Sequence, residues 1–183
     1  MAVTHGLGPA LFTLLQRQNG LAQLPREAAV SLLLAYGQAC QFTDRIYAAV
    51  EEWNQRFADN DITAVWLKGV ALGLTVYPNR AMRPMGDADV LAPPTQTADA
   101  LALLEAVTGN KPAQLGEQND KEAMVSVGLH KGGPVRLELH WSLIEAPTSP
   151  LAPPVDWFLD QTTTIDFAGR PLRILRSEAN LLY

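Results

Sequence analysis

The chain has 183 residues, 48% apolar and 18% charged, a globular composition that excludes wholesale disorder and points to one domain, with or without a helical extension. Fourteen Lys and Arg against nineteen Asp and Glu give a formal charge of −5, so the chain lacks the basic footprint of a protein that tracks a nucleic-acid backbone, although a local basic pocket for one small anion fits it. A single cysteine, Cys40, excludes an internal disulfide framework and a cysteine-built zinc site. No run approaches the ~18 apolar residues of a membrane span, and the opening MAVTHGLGPALFTLLQRQ has no basic region before its short apolar stretch. The expectation is a cytoplasmic protein with no membrane partner.

Residues 1–60 read as helix. Leu11, Leu14 and Leu15 suggest a short amphipathic opener that stops at Asn19-Gly20. From Pro25 onward, Leu32, Leu33, Tyr36, Cys40, Thr43, Ile46, Tyr47, Val50, Trp53 and Phe57 recur at three- and four-residue steps, one apolar stripe on a long helix. Cys40 and Trp53 fall on that stripe and read as core. The stripe packs either on the chain's own sheet or on a partner protein.

Residues 61–183 change character. ITAVWLKG reads as a buried strand ended by Gly69, VALGLTVY as a short helix, MGDADVLA as a strand, and Thr95 to Val107 as a helix stopped by Gly109. AMVSVGLHK, the turn Gly132-Gly133-Pro134 and VRLELHWSL read as a hairpin. A Pro-rich loop from Pro147 to Pro154, a helical turn near Trp157, a second hairpin through Ala168-Gly169 and a helix starting at Ser177 complete the chain. The fold class is α+β, a mixed sheet packed with helices plus an N-terminal helical extension. The last helix has barely begun at Tyr183, so a longer natural chain is expected.

Three short segments are able to carry chemistry. Asp87 and Asp89 sit two apart in an apparent strand, so both carboxylates share a face, where a divalent cation would offset their repulsion. A polar strand end reads the same way. In VRLELHWSL, Arg136, Glu138, His140 and Ser142 alternate with an apolar face, which is also the pattern of an ordinary amphipathic strand. Leu67-Lys68-Gly69 turns a strand into a helix whose free N–H groups favour phosphate, and Gly69 lets backbone approach a ligand. Arg80 and Arg83 are phosphate-binding candidates or charge partners of Asp87. His5 and His130 have no zinc-ligand spacing; His140, two residues from Glu138, is either a site neighbour or a satisfied strand histidine. Trp66 and Trp141 read as packing residues.

In this order, LKGVALGLTVYPNRAMRPMGDADVLAP followed by VRLELHW resembles the DNA polymerase beta-like nucleotidyltransferase superfamily, and within it the bacterial group of uncharacterised nucleotidyltransferases; the likeness covers about residues 60 to 145 closely. The resemblance implies that Asp87, Asp89 and Glu138 bind two Mg2+ ions and catalyse transfer of a nucleoside monophosphate, with Glu138 helping to activate the attacking hydroxyl. It implies Lys68, Gly69 and Arg83 as phosphate neighbours and His140 beside metal or substrate. The donor would be a nucleoside triphosphate, ATP before others, and the acceptor a small molecule, a protein side chain or an RNA end; no extended DNA binding is expected. The corner departs from the superfamily pattern in one respect, because Val70 follows Gly69 where a second small residue is usual. A nucleotide-binding module without turnover, or a protein-interaction module, is the alternative.

Overall fold

The computed structural model describes residues 6–114, 122–130, 133–144 and 152–183. His5, Gly132 and the Pro147–Leu151 part of the Pro-rich loop lie outside them. Chain order is α1 (Gly8–Arg17), α2 (Arg26–Asp59), β1 (Val65–Trp66), α3 (Lys68–Thr75), β2 (Ala88–Leu91), α4 (Thr97–Thr108), β3 (Ala113–Gln114), β4 (Glu122–His130), β5 (Gly133–His140), α5 (Val155–Asp160), β6 (Thr162–Phe167), β7 (Arg170–Leu175) and α6 (Ser177–Leu182). The strands form one mixed sheet in the order β3-β4-β5-β2-β1-β7-β6. Its edges are antiparallel hairpins; its centre joins β2 to β5 and β1 to β7 in parallel, while β1 and β2 run antiparallel.

The helical stripe covers the chain's own sheet. Ile46, Tyr47, Val50, Trp53 and Phe57 of α2 share one buried cluster with Trp66, Val90, Leu137, Leu139 and Ile174 from four strands of the α+β part. Hydrophobic burial on both sides of residue 60 thus forms a single core. Near its start the stripe is only partly covered: Leu32 is buried, while Leu33 is exposed. In α1 the inward face is Phe12 and Thr13, with Phe12 stacked on Tyr36 at 4.7 Å, while Leu11 and Leu14 point outward. A smaller cluster on the other sheet face joins Val65, Leu67, Leu91 and Leu175 to Phe158 of α5 and Ala179 of α6. No helix among the described residues is long and apolar enough to cross a membrane.

Tyr47 ties α2 to α3. Its hydroxyl donates to the Val70 carbonyl at 3.0 Å, and a side chain at Gly73 would collide with that hydroxyl. Burial pushes the phenol up to about 12, against the lowering charges of Arg80 and Arg83. A raised folded pKa makes the neutral phenol's contribution complete below about pH 10 and progressively lost above it. Wild-type stability is therefore expected to fall between about pH 10 and pH 12 through this group, and Tyr47→Phe, less stable at neutral pH by about 1 kcal/mol, should lack that component. Denaturant melts across this range test it; parallel curves for the two proteins contradict it.

Candidate active site

The site lies on the face opposite α2, where the central strands turn their polar side chains. In β2, Ala88 and Val90 enter the α2-side core, so Asp89 and Leu91 face the other way. In β5, Leu137 and Leu139 take the core side, leaving Glu138 and His140 beside Asp89. Parallel pairing of β2 and β5 sets Asp89 directly opposite Glu138 and Leu91 opposite His140. One ligand atom each from Asp89, Glu138 and His140 lie within 4.8 Å of one another, a set able to hold a metal ion. Asp87 stands just before β2, its carboxylate 3.7 Å from Arg136, a loose and partly exposed ion pair.

Asp89 is the buried centre, 3% exposed. Its Oδ1 accepts from Lys68 Nζ at 2.8 Å and pairs with His140 Nε2 at 3.0 Å. Burial alone would raise its pKa, but the hydrogen bonds from His140 and Lys68 and their charges outweigh burial and hold it below the usual carboxylate range. Lys68 is the mirror case: burial works against its charge, and the bonds to Asp89 and Tyr183 raise it nonetheless. Glu138 is raised, first by burial and then by the charges of Asp87 and Asp89. The Asp87 charge thus acts on Glu138 although Asp87 is outside the tightest triad.

The strand-to-helix corner works differently from the sequence expectation. Leu67 N–H still donates to the Asp89 carbonyl at 3.0 Å, prolonging the β1–β2 ladder. The next residue, Lys68, takes the left-handed conformation at φ 42°, the strained step that starts α3 at once and sends its side chain to Asp89. Gly69 is needed for close packing: an added Cβ would lie 2.6 Å from Arg83 Nη1 and 2.6 Å from Met85 Sδ. Val70 is wholly buried, so the side chain after Gly69 presents nothing to a ligand. Arg83 therefore sits over the first turn of α3, and its side chain has no hydrogen bond or ion pair among the described residues. Arg80 is used elsewhere, paired with Asp44 at 2.8 Å and lying over the Tyr47 ring. Neither arginine partners Asp87; Arg136 does.

One contributor was not singled out in the sequence. The Tyr183 ring, delivered by α6, lies 5.2 Å from Lys68 Nζ and edge-on to His140 at 6.5 Å. No local pattern marks it, because the contact depends on β7 running parallel beside β1. A cleft of about 430 Å³ opens elsewhere, between α1, α2 and Pro84–Met85; it contains none of the three carboxylates.

No curated protein matches the sequence. An antigenic nucleotidyltransferase-like protein from Paracoccidioides brasiliensis superposes with a TM-score of 0.51 at 17% identity, covering 76% of this chain and 64% of that one, so over a third of that protein has no counterpart here. The lincosamide antibiotic adenylyltransferase LnuA, in its lincomycin-bound form, gives 0.51 at 14% identity over 74% of this chain and 84% of that one. At such identities the likeness establishes the shared α+β fold. The family model described as uncharacterised nucleotidyltransferase matches residues 1–183, and the chain belongs to that family.

Proposed function

We propose that this protein is a cytoplasmic nucleotidyltransferase that moves a nucleoside monophosphate from a triphosphate, ATP before the others, to the hydroxyl of an acceptor. The observation that carries this reading is the register of β2 and β5, which sets Asp89 against Glu138 with Asp87 close enough to act on Glu138. The convergence of Asp89, Glu138 and His140 within 4.8 Å fits a divalent cation, and the Asp87–Asp89 pair provides for a second, with Mg2+ the first choice for both. When bound, such ions supply charge neutralisation at the α-phosphate and the departing pyrophosphate.

The remaining roles fall to the chain itself. Arg83 and the first turn of α3 offer positive charge and N–H groups to the triphosphate, and Lys68 lies between that turn and Asp89. With Val70 buried, these cations take the place of the second small residue usual at the corner. His140 stands against Asp89 at 3.0 Å, and a Glu138 oxygen receives the proton of the acceptor hydroxyl. A small-molecule acceptor draws support from LnuA, a lincosamide antibiotic adenylyltransferase with lincomycin bound. A protein side chain and an RNA end are the other acceptors.

Calorimetric titration with ATP, CTP, GTP and UTP, with and without Mg2+, tests this. Magnesium-dependent binding that Asp87→Asn abolishes is expected. Pyrophosphate release in an acceptor screen then separates an enzyme from a module that binds without turnover. Failure of every triphosphate to bind in the presence of Mg2+ would overturn both.

A further inference from the structure

We propose that His140 is itself a metal ligand, so that the Asp89–Glu138–His140 position takes a first-row transition cation such as Mn2+ in preference to Mg2+. The inference rests on the metal-dependent reading above and alters the identity of one of its two ions. The three ligand atoms converge from adjacent strands in fixed register, and none belongs to a loop. His140 is 2% exposed, held between the sheet and the edge of the Tyr183 ring, so its imidazole cannot swing away to solvent.

The key distance is that between His140 Nε2 and Asp89 Oδ1, 3.0 Å. Neighbouring ligands of an octahedral ion with bonds of about 2.1 Å lie about 3.0 Å apart, because the edge of an octahedron is √2 times its radius. A cation held by Asp89 and His140 would replace their hydrogen bond. Lys68 contacts the same Oδ1, while no hydrogen bond to Asp89 Oδ2 is found among the described residues. Two carboxylates and one imidazole form a mixed oxygen–nitrogen set. Mg2+ is a hard ion that favours oxygen and gives up water reluctantly, whereas transition cations gain from an imidazole. The competing role, a histidine that only steadies Asp89, would weaken every cation alike.

Mn2+ binding to the full chain, followed by electron paramagnetic resonance, distinguishes these roles, with and without α,β-methylene-ATP. Electron spin-echo modulation should show directly bonded 14N in the wild type, shifting to the 15N frequency when the histidines are 15N-labelled, a readout that needs no variant. His140→Gln should lose that signal, weaken Mn2+ by about tenfold, and change Mg2+ affinity, measured by competition, by less than about threefold. Bound Mn2+ that Asp89→Asn releases but that shows no histidine nitrogen would overturn the inference and leave the metal-dependent reading standing. So would equal losses of Mn2+ and Mg2+ in His140→Gln. No Mn2+ binding with or without the nucleotide analogue would overturn both.

Discussion

Asp89→Asn is expected to lower nucleotidyl transfer by about a thousandfold or more, equivalent to about 4 kcal/mol of lost transition-state stabilisation, while the protein stays folded. The substitution keeps the volume and removes the charge. An amide is neutral, so it neither binds a divalent cation as the carboxylate does nor balances Lys68. The fold survives because the Lys68 side chain is 41% exposed and finds water once its partner is gone. His140 retains a polar neighbour at 3.0 Å. The acid dependence carries a second signature. Asp89 has a folded pKa below its ordinary value, so its contribution to stability is complete above the unfolded carboxylate value and is lost as pH falls through the folded one. The asparagine variant should lack that component and lose less stability between neutral and strongly acidic pH. Pyrophosphate release and melting curves at two pH values measure both effects. Turnover at the wild-type rate would remove Asp89 from the chemistry.

The parts of this site that lie within one strand were legible in the sequence, and the parts that depend on which strands meet were not. Period-two alternation places Glu138 with His140 on one face of β5, whereas Asp87, expected in the same strand as Asp89, falls just before β2 and outside the triad. That β2 and β5 pair in parallel, with α4, β3 and β4 between them in the chain, is a tertiary outcome no local pattern encodes. The same holds for Tyr183 over Lys68. At the corner, propensity misplaces the special backbone. Glycine is the residue expected to carry positive φ, yet Lys68 carries it, and Gly69 is small so that Arg83 and Met85 pack against it. In the helices, periodicity identified the stripe from Thr43 to Phe57 but gave Leu11, Leu14 and Leu33 to the core as well. A stripe reports amphipathicity; whether a sheet lies beneath each turn depends on where the sheet ends. The two-residue strand β3 is too short to leave a periodic signal.

The largest stability effect is expected at Trp53, and it bears on whether residues 1–60 are an appendage. Trp53 is 1% exposed at the centre of the cluster that α2 shares with the sheet, with its ring 5.7 Å from Phe57 and under the Arg56 guanidinium. Truncation to alanine should cost about 3–5 kcal/mol, through lost burial and the cavity left behind. Phenylalanine should cost much less than its smaller volume suggests. The buried indole N–H of Trp53 has no hydrogen-bond partner among the described residues, so Trp53→Phe removes an unpaired donor whose desolvation costs about 1–3 kcal/mol. Equilibrium denaturation of the two variants gives the comparison. If α2 were an independent extension, Trp53→Ala would loosen the helix and leave the nucleotide site intact. With Trp53 in one core with Val90 and Leu137, the neighbours of Asp89 and Glu138, the same substitution should weaken triphosphate binding together with the melt. The long helix then serves as the back wall that keeps β2 and β5 in register, and the opposed carboxylates depend on a residue 36 positions before the first of them.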